Sequence, residues 1–446
     1  MRLIRLGYGR GVTSLCIPEE RFGGLRGFEP VEEASRGDGR LTLALQELRS
    51  AGFLEATRGA RLGLLVADGT RAWSPPHALP PLWPMLQQAR AVDLFVCTGT
   101  HDPLAIANRE LVQGLRAVLE GAPVPIELIV HDARRGPHRS VGVTRRGTPV
   151  AVDERLARCD ALLILSDVKP HYFAGYSNPV KFVVPGLAAF ETVRANHSLA
   201  LDDASAAGRH PWHPDPERRT NPLADDLVEA FERVVGERPH FALTALREGP
   251  RLDMAWGGGT REAFERACTE VDRRSTLSVE PARFVVVSPG GWPHDESLYT
   301  AQRALELTSR AWRDGGEVLF LANCGAGIGP PGARENFFEP LCAVPDPAAP
   351  DPAAPNLAAP DPAAPRDVEA QRAAYRLYGH KPVRLARLLR RASTVWVKSE
   401  LPKDEMRRAG FRSVEDPQLV IDDWLERAGP DDRILCFDHA SRLVVV

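Results

Sequence analysis

The chain has 446 residues, 43 % apolar and 26 % charged, an ordinary globular mix too long for one core, so two domains are expected. A formal net charge of −3, with no basic block interleaved with aromatics, argues against nucleic acid or an anionic membrane as partner. Seven cysteines without a C-x-x-C pair argue against a thiolate zinc site and a disulfide framework.

The amino-terminal stretch "MRLIRLGYGRGVTSLC" has an apolar run too short for a signal peptide, and no window of about 20 apolar residues follows it. A reducing, cytoplasmic setting is therefore expected. Four apolar, β-branched runs come next: "RLGLLVADGTR" (61–71), "AVDLFVCTGTHDP" (91–103), "IELIVHDARRG" (126–136) and "DALLILSDVKPH" (160–171). Between the second and third, "DPLAIANRELVQGLRAVLEG" (102–121) spaces its apolar residues as a helix does, with Asp at its start and Gly at its end. A polar stretch, "VDRRSTLSVEPA" (271–282), marks the expected break between halves. Beyond it lie "RFVVVSPGGWPHDE" (283–296), a predicted helix over 296–316, "EVLFLANCGAGIG" (317–329) and "TVWVKSELP" (394–402). The terminal "RILCFDH" and "RLVVV" read as a closing hairpin.

Continuous Val/Ile/Leu runs alternating with helices predict an α/β fold, with mainly parallel sheets flanked by helices. The expected domains are 1–275 and 276–446, the last strands (about 432–446) being free to pack back on the first. A Pro/Ala repeat near 345–365 cannot build a core and reads as a surface insertion in the second domain.

Open parallel sheets bind ligands outside the carboxyl ends of their strands. The first run delivers Asp68, Thr70 and Arg71 there, and the second Thr98, Thr100 and His101. The fourth delivers Asp167, Lys169 and His171, and the fifth Gly290, Gly291, His294 and Asp295. Asp68 and Thr70 could serve as a turn and helix cap, whereas Arg71 offers a bidentate grip on a carboxylate. A histidine at a helix start stays neutral and usable as a base. Histidines at three strand ends are harder to dismiss as turn residues.

No G-x-x-x-x-G-K-[ST] loop, no G-x-G-x-x-G opening the first strand–helix unit and no G-x-S-x-G elbow is present, which argues against standard nucleotide sites and serine hydrolases. In "SDVKPHYFAGYSNPVKFVVPGLAAFETVRANHS" (166–198) a small-residue loop ends on Lys181, and a strand-like "FVVPG" follows it. Burial there would lower the amine's pKa and make it nucleophilic, against the simple reading of a solvated charge. A helix with Pro185 near its start and His197 at its end comes next. Neutral imidazole is a plausible metal ligand, but one histidine needs other ligands to hold a metal.

Taken in order, "YGRG", "DGTR", "CTGTH", "KPHYFAGYS…K…VPGLAAFETV…NHS", "SPGGWPHDESLYTAQRALE" and "YRLYGHKPVRLARLL" (375–389) resemble the lactate racemase family of nickel-pincer enzymes. The resemblance spans most of the chain outside the Pro/Ala repeat. It implies a pyridinium-3-thioamide-5-thiocarboxylic acid mononucleotide joined to a lysine as a thioamide and carrying nickel. By motif position Lys181 would be the tether, His197 the nickel ligand, and His101 and His171 the two acid/base residues. Asp68, Thr70 and Gly175 would contact the cofactor, and Arg71 and His294 the substrate, with Asp68 helping to position it. The implied reaction inverts C2 of a 2-hydroxy acid by reversible hydride transfer, in a cleft between the domains. The resemblance also implies cofactor-biosynthesis proteins as partners and leaves room for a homo-oligomer.

The motifs depart from the family in three places. "NPVK" (178–181) stands where "GGRK" is usual, and "GTHDP" replaces "GTHRP". His294 occupies the place of a substrate-side lysine, which points away from lactate and toward another 2-hydroxy acid or a sugar acid. Two other readings remain: a lyase or oxidoreductase on the same scaffold with another metal or no pincer, and a binding protein without catalysis.

Overall fold

The structure, a computed structural model, describes residues 1–28, 38–71, 75–248, 251–343 and 375–446. The Pro/Ala repeat lies outside the described residues. The chain forms two compact units, Met1–Glu29 with Arg274–Val446, and Pro30–Arg273. The expected domain 1–275 thus starts later in the structure, because the first strands belong to the other unit. The change of unit at 273/274 falls inside the polar stretch singled out in the sequence.

In the first of these units, β1 (Arg2–Tyr8) and β2 (Gly11–Ile17) pair as an antiparallel hairpin, and β3 (Phe22–Arg26) follows.

The Pro30–Arg273 unit holds a six-stranded sheet. Its members are β4 (Arg61–Ala67), β5 (Ala91–Cys97), β6 (Ile126–Val130), β9 (Ala161–Asp167), β12 (His240–Glu248) and β13 (Arg251–Gly259). Two short hairpins lie outside it, β7 (His138–Val143) with β8 (Pro149–Asp153), and β10 (Lys169–His171) with β11 (Gly175–Ser177). The order is β13-β12-β9-β4-β5-β6, parallel except for the antiparallel β12–β13 pair. Leu62, Leu64, Leu65 and Val66 of β4 are all fully buried, as expected of a strand covered on both faces. Truncating one of them to Ala costs about 2–5 kcal/mol by cavity formation.

The helices that matter here are α1 (Asp38–Ser50), α2 (Ile106–Leu119), α3 (Val180–Val183), α4 (Phe190–Ser198), α5 (Pro222–Val235) and α6 (Thr260–Ser275). In α5, Asn221 accepts the Ala224 N–H at 3.0 Å, and Pro222 sits in the first turn, where its missing N–H is harmless. The α1 helix packs so tightly on β13 that a Cβ at Gly257 would lie 2.0 Å from the Ala44 carbonyl oxygen. Any larger residue there would push the helix off the sheet.

In the other unit, β15 (Ala282–Val287), β16 (Trp312–Leu321), β17 (Thr394–Lys398), β18 (Arg412–Ser413) and β19 (Ile434–Phe437) join β3 in the order β18-β17-β16-β15-β19-β3, all parallel. The α7 helix (Leu298–Thr308) connects β15 to β16. It ends earlier than the predicted 316, because a short turn at Ser309–Ala311 leads into β16, which starts at Trp312. The expected closing hairpin is also absent: β19 runs parallel between β15 and β3, and β20 (Val444–Val445) pairs parallel with β14 (Thr276–Leu277). His439, at φ 52°, and the turn Ala440–Arg442 redirect the chain between them.

Two local expectations in 180–198 are corrected as well. The strand-like "FVVPG" begins inside α3, so Lys181 is helical. Pro185 lies outside α4, which starts only at Phe190.

Candidate active site

The carboxyl end of β4 supplies Asp68, almost entirely buried. One of its oxygens accepts the Thr70 hydroxyl at 2.8 Å, and the other sits 2.8 Å from His101 Nδ1. Arg71 Nε lies 3.9 Å from the same carboxylate. A carboxylate opposite Nδ1 calls for the Nδ1–H tautomer, which leaves the Nε2 lone pair of His101 to act as a base. His101 itself is held by its N–H on the Thr98 carbonyl at 3.0 Å, and the adjacent Gly99 N–H reaches the Gly186 carbonyl at 2.9 Å. The "GTH" turn is therefore fastened to the loop that follows Lys181.

Asp167 ends β9 and pairs with Lys169 at 2.9 Å. Burial favours its neutral form, but Lys169 and Arg71 outweigh burial and hold the carboxyl down at about 2. The hairpin β10–β11 then carries His171 opposite Gly175. His171 Nδ1 accepts the Ala174 N–H at 3.3 Å, which puts the proton of the neutral ring on Nε2. The two histidines are thus poised in complementary tautomers. Gly175 has φ +75°, and a Cβ there would fall 1.9 Å from the Arg209 carbonyl oxygen, so glycine is required by packing. Phe173 stands edge-on to both His171 and His197, with ring centroids 4.5 and 5.5 Å away.

Lys181 sits in the first turn of α3, where its N–H meets the Asn178 side-chain oxygen at 3.2 Å. Asn178 in turn donates to the Tyr176 carbonyl at 3.0 Å. Burial pushes the Lys181 amine down to about 7, with Arg71 and Lys169 adding to the effect and Asp167 opposing it. Among the described residues no carboxylate lies within ion-pair distance of the amine. His197, near the end of α4, is driven down to about 3 by burial and by the Lys181 charge, so its imidazole is neutral. Asn196 beside it donates to Asp226 at 2.8 Å, which ties α4 to α5.

The Pro30–Arg273 unit therefore brings together Asp68, Thr70, Arg71, His101, His171, Gly175, Lys181 and His197. His294 belongs to the other unit, in the turn after β15, where its N–H bonds the Gly291 carbonyl at 2.8 Å. Sequence reasoning gave no role to Asp167 and Lys169, although both were visible at a strand end. It missed Phe173, Asn178 and a buried group around Asp272. There the Asp272 carboxylate takes the Tyr176 hydroxyl at 2.5 Å, His213 Nε2 at 2.7 Å and Arg218 at 2.7 Å. His213, Cys268 and Asp272 place potential ligand atoms within 4.8 Å of one another. With Arg218 already neutralising the carboxylate, this group is complete as a hydrogen-bonded anchor for the β11 hairpin. The paired histidines of "HPWHPDPERR" were the signal that could have found it.

Residues 8–208 match the family model described as the lactate racemase N-terminal domain. Over these residues the chain is similar to the lactate racemase family. It is 23 % identical over 354 residues to a lactate racemase of Thermoanaerobacterium thermosaccharolyticum, covering 76 % of this chain and 78 % of that one. It is 24 % identical over 306 residues to a lactate racemase of Lactiplantibacillus plantarum, covering 66 % of each. The fold is that of the T. thermosaccharolyticum lactate racemase apoprotein, with a TM-score of 0.79, 19 % identity and full coverage of both chains. A Thermotoga maritima protein of solved structure aligns with a TM-score of 0.58 at 16 % identity, over 92 % of this chain and 99 % of that one. This similarity supports a racemase- or epimerase-type activity. Among the described residues no helix is long and apolar enough to cross a membrane.

Proposed function

We propose that this protein is an isomerase that inverts C2 of a 2-hydroxy acid, using a nickel-pincer mononucleotide joined covalently to Lys181. The observation that carries the proposal is the Lys181 amine, desolvated to about 7 and free of a carboxylate partner among the described residues. A structural lysine is normally paired or solvated; a nucleophile that must acylate its nitrogen needs the neutral form near physiological pH. His197, held neutral on α4, has the chemistry of a nickel donor. The donor set therefore fits the group that the family uses, despite "NPVK" at the tether.

When bound, the pincer supplies the hydride acceptor that a histidine alone cannot provide for an unactivated C2–H. The protein's own residues move the proton. His101, with Nδ1–H directed to Asp68, takes the substrate hydroxyl proton on Nε2, and Asp68 stabilises the imidazolium that forms. As an imidazolium, His171 returns a proton from Nε2 on its own side and is left neutral, while His101 starts neutral and ends as the imidazolium; the two exchange these charge states for the opposite stereoisomer. Arg71 is half exposed and only loosely held by Asp68, which suits it to grip the substrate carboxylate. His294 in place of a lysine supports a substrate other than lactate, either another 2-hydroxy acid or a sugar acid. Proteins that build and load the cofactor would be partners.

Intact-mass and nickel analysis of protein co-expressed with pincer-biosynthesis enzymes tests this reading. The expected result is a mass increment absent from Lys181→Ala, about one nickel per chain, and loss of optical activity with a 2-hydroxy acid. No increment, while a lactate racemase loads in parallel, would overturn it and favour a lyase or oxidoreductase on this scaffold.

A further inference from the structure

The match to the racemase N-terminal domain stops at residue 208, and the next residues fold back onto the site. Gly208 N–H bonds the Gly175 carbonyl at 3.1 Å, and the Arg209 carbonyl presses against Gly175. The Asn221 amide bonds the carbonyls of Phe173 at 2.9 Å, Ala206 at 3.0 Å and Arg209 at 3.2 Å. Phe173 is the ring beside both His171 and His197. Loop 208–213 is thus fixed to the backbone that positions the acid/base and metal-binding histidines.

This loop buries His210 completely, with 0 % exposure, beside the buried Trp212 and His213. Its Nδ1 accepts the Trp212 N–H at 3.1 Å, so the ring proton is on Nε2. That Nε2 is buried without a hydrogen-bond partner among the described residues. Leaving a buried donor without a hydrogen bond is costly, so such a donor calls for an acceptor. The ring is neutral, pushed down to about 3 by burial, His213 and the Lys181 charge. The bonds of Gly208 to Gly175, and of Asn221 to Phe173 and Arg209, hold the loop that carries this orphaned donor against the hairpin of His171.

We propose that His210 is a further ligand-binding residue of this site, its Nε2–H donating to an acceptor atom of the group carried on Lys181. The proposal rests on the function proposed above. Its simplest rival is a purely structural role, with the N–H over the Phe264 ring, whose centroid lies 4.6 Å away at 58°.

The test compares His210→Asn with His210→Gln by intact mass after co-expression with the biosynthesis enzymes, and by melting of the unloaded proteins. Asn can keep the bond from Trp212 but has no group at the ε position, whereas the Gln amide restores a donor there. Both lose the ring packed against Phe264. The expected result is similar melting temperatures, loading reduced on the order of tenfold in His210→Asn, and recovery toward wild type in His210→Gln. Equal loading of the two variants, whether normal or impaired, overturns the proposal and leaves His210 as a packing residue. If wild type itself fails to load, the proposed function and this inference fall together; if wild type loads and the variants match each other, only the inference falls.

Discussion

At the carboxyl ends of β4, β5 and β9 stand Asp68, His101 and the Asp167–Lys169 pair, followed by a lysine amine at about 7 and an imidazole at about 3. At the corresponding ends of β15, β16 and β19, Asp295, Asn323 and Asp438 are engaged with backbone. Asp295 accepts the N–H of Gly9 at 2.7 Å and of Asn323 at 3.2 Å; Asp438 accepts Gly7 at 3.1 Å; Asn323 accepts Gly325 at 3.0 Å. Burial there raises acids instead, with the Tyr8 hydroxyl pushed up to about 12. Two six-stranded sheets of different strand order thus put desolvated bases at one set of strand ends and hydrogen-bonded turns at the other. Architecture says where ligands can bind, and the titration state of the groups says which end is chemical.

Substitutions sharpen that contrast. The largest effect is expected from His101→Ala or His171→Ala, each lowering turnover about 10²–10⁴-fold while the mass of the loaded cofactor persists. Turnover within a fewfold of wild type for both would remove the chemical assignment of that sheet. A smaller and purely structural effect is expected from Asp295→Ala. Two backbone N–H groups lose their acceptor, and denaturant unfolding should register about 1–3 kcal/mol. An unchanged midpoint would mean that the second set of strand ends does not depend on its polar closures.

A further effect, confined to one pH range, carries a sign. Lys181 titrates at about 7 when folded, against about 10.4 unfolded. The unfolded chain therefore binds more protons between these values, and the burden of the buried ammonium is full below pH 7 and vanishes as pH rises toward 10.4. Unloaded Lys181→Met should accordingly melt above wild type at pH 6, with the gap closing by about pH 10. A gap independent of pH would mean an amine in contact with water.

The strands were legible because runs such as "LGLLV" and "FVVV" are buried on both faces and read as continuous apolar stretches. Asp68 and His101 were legible as residue types at strand ends, Lys181 as the end of a small-residue loop, and all three by family resemblance. What stayed hidden depends on partners distant in the chain. "VKFVV" is rich in β-branched residues and reads as strand; Asn178 capping and burial in the Pro30–Arg273 unit make it helical instead. The closing hairpin failed for a related reason: "RILCF" finds parallel partners in β15 and β3, which no local pattern announces. His210 carries no signal of its own, since its significance lies in a donor left over after Trp212 is satisfied.

The pairing of Phe22–Arg26 with Ile434–Phe437 also bears on how the molecule is made. The edge strand β3 leaves the ribosome before the other strands of its sheet, and β19, its neighbour there among the described residues, is synthesised some four hundred residues later. The Pro30–Arg273 unit is continuous in the chain and can collapse on the nascent polypeptide while its amino-terminal flank waits. Long-range closure of this kind slows folding and keeps an unpaired strand exposed in the meantime. Production of the protein should therefore be more sensitive to chaperone supply, and to changes within residues 22–26, than the stability of the finished fold would suggest.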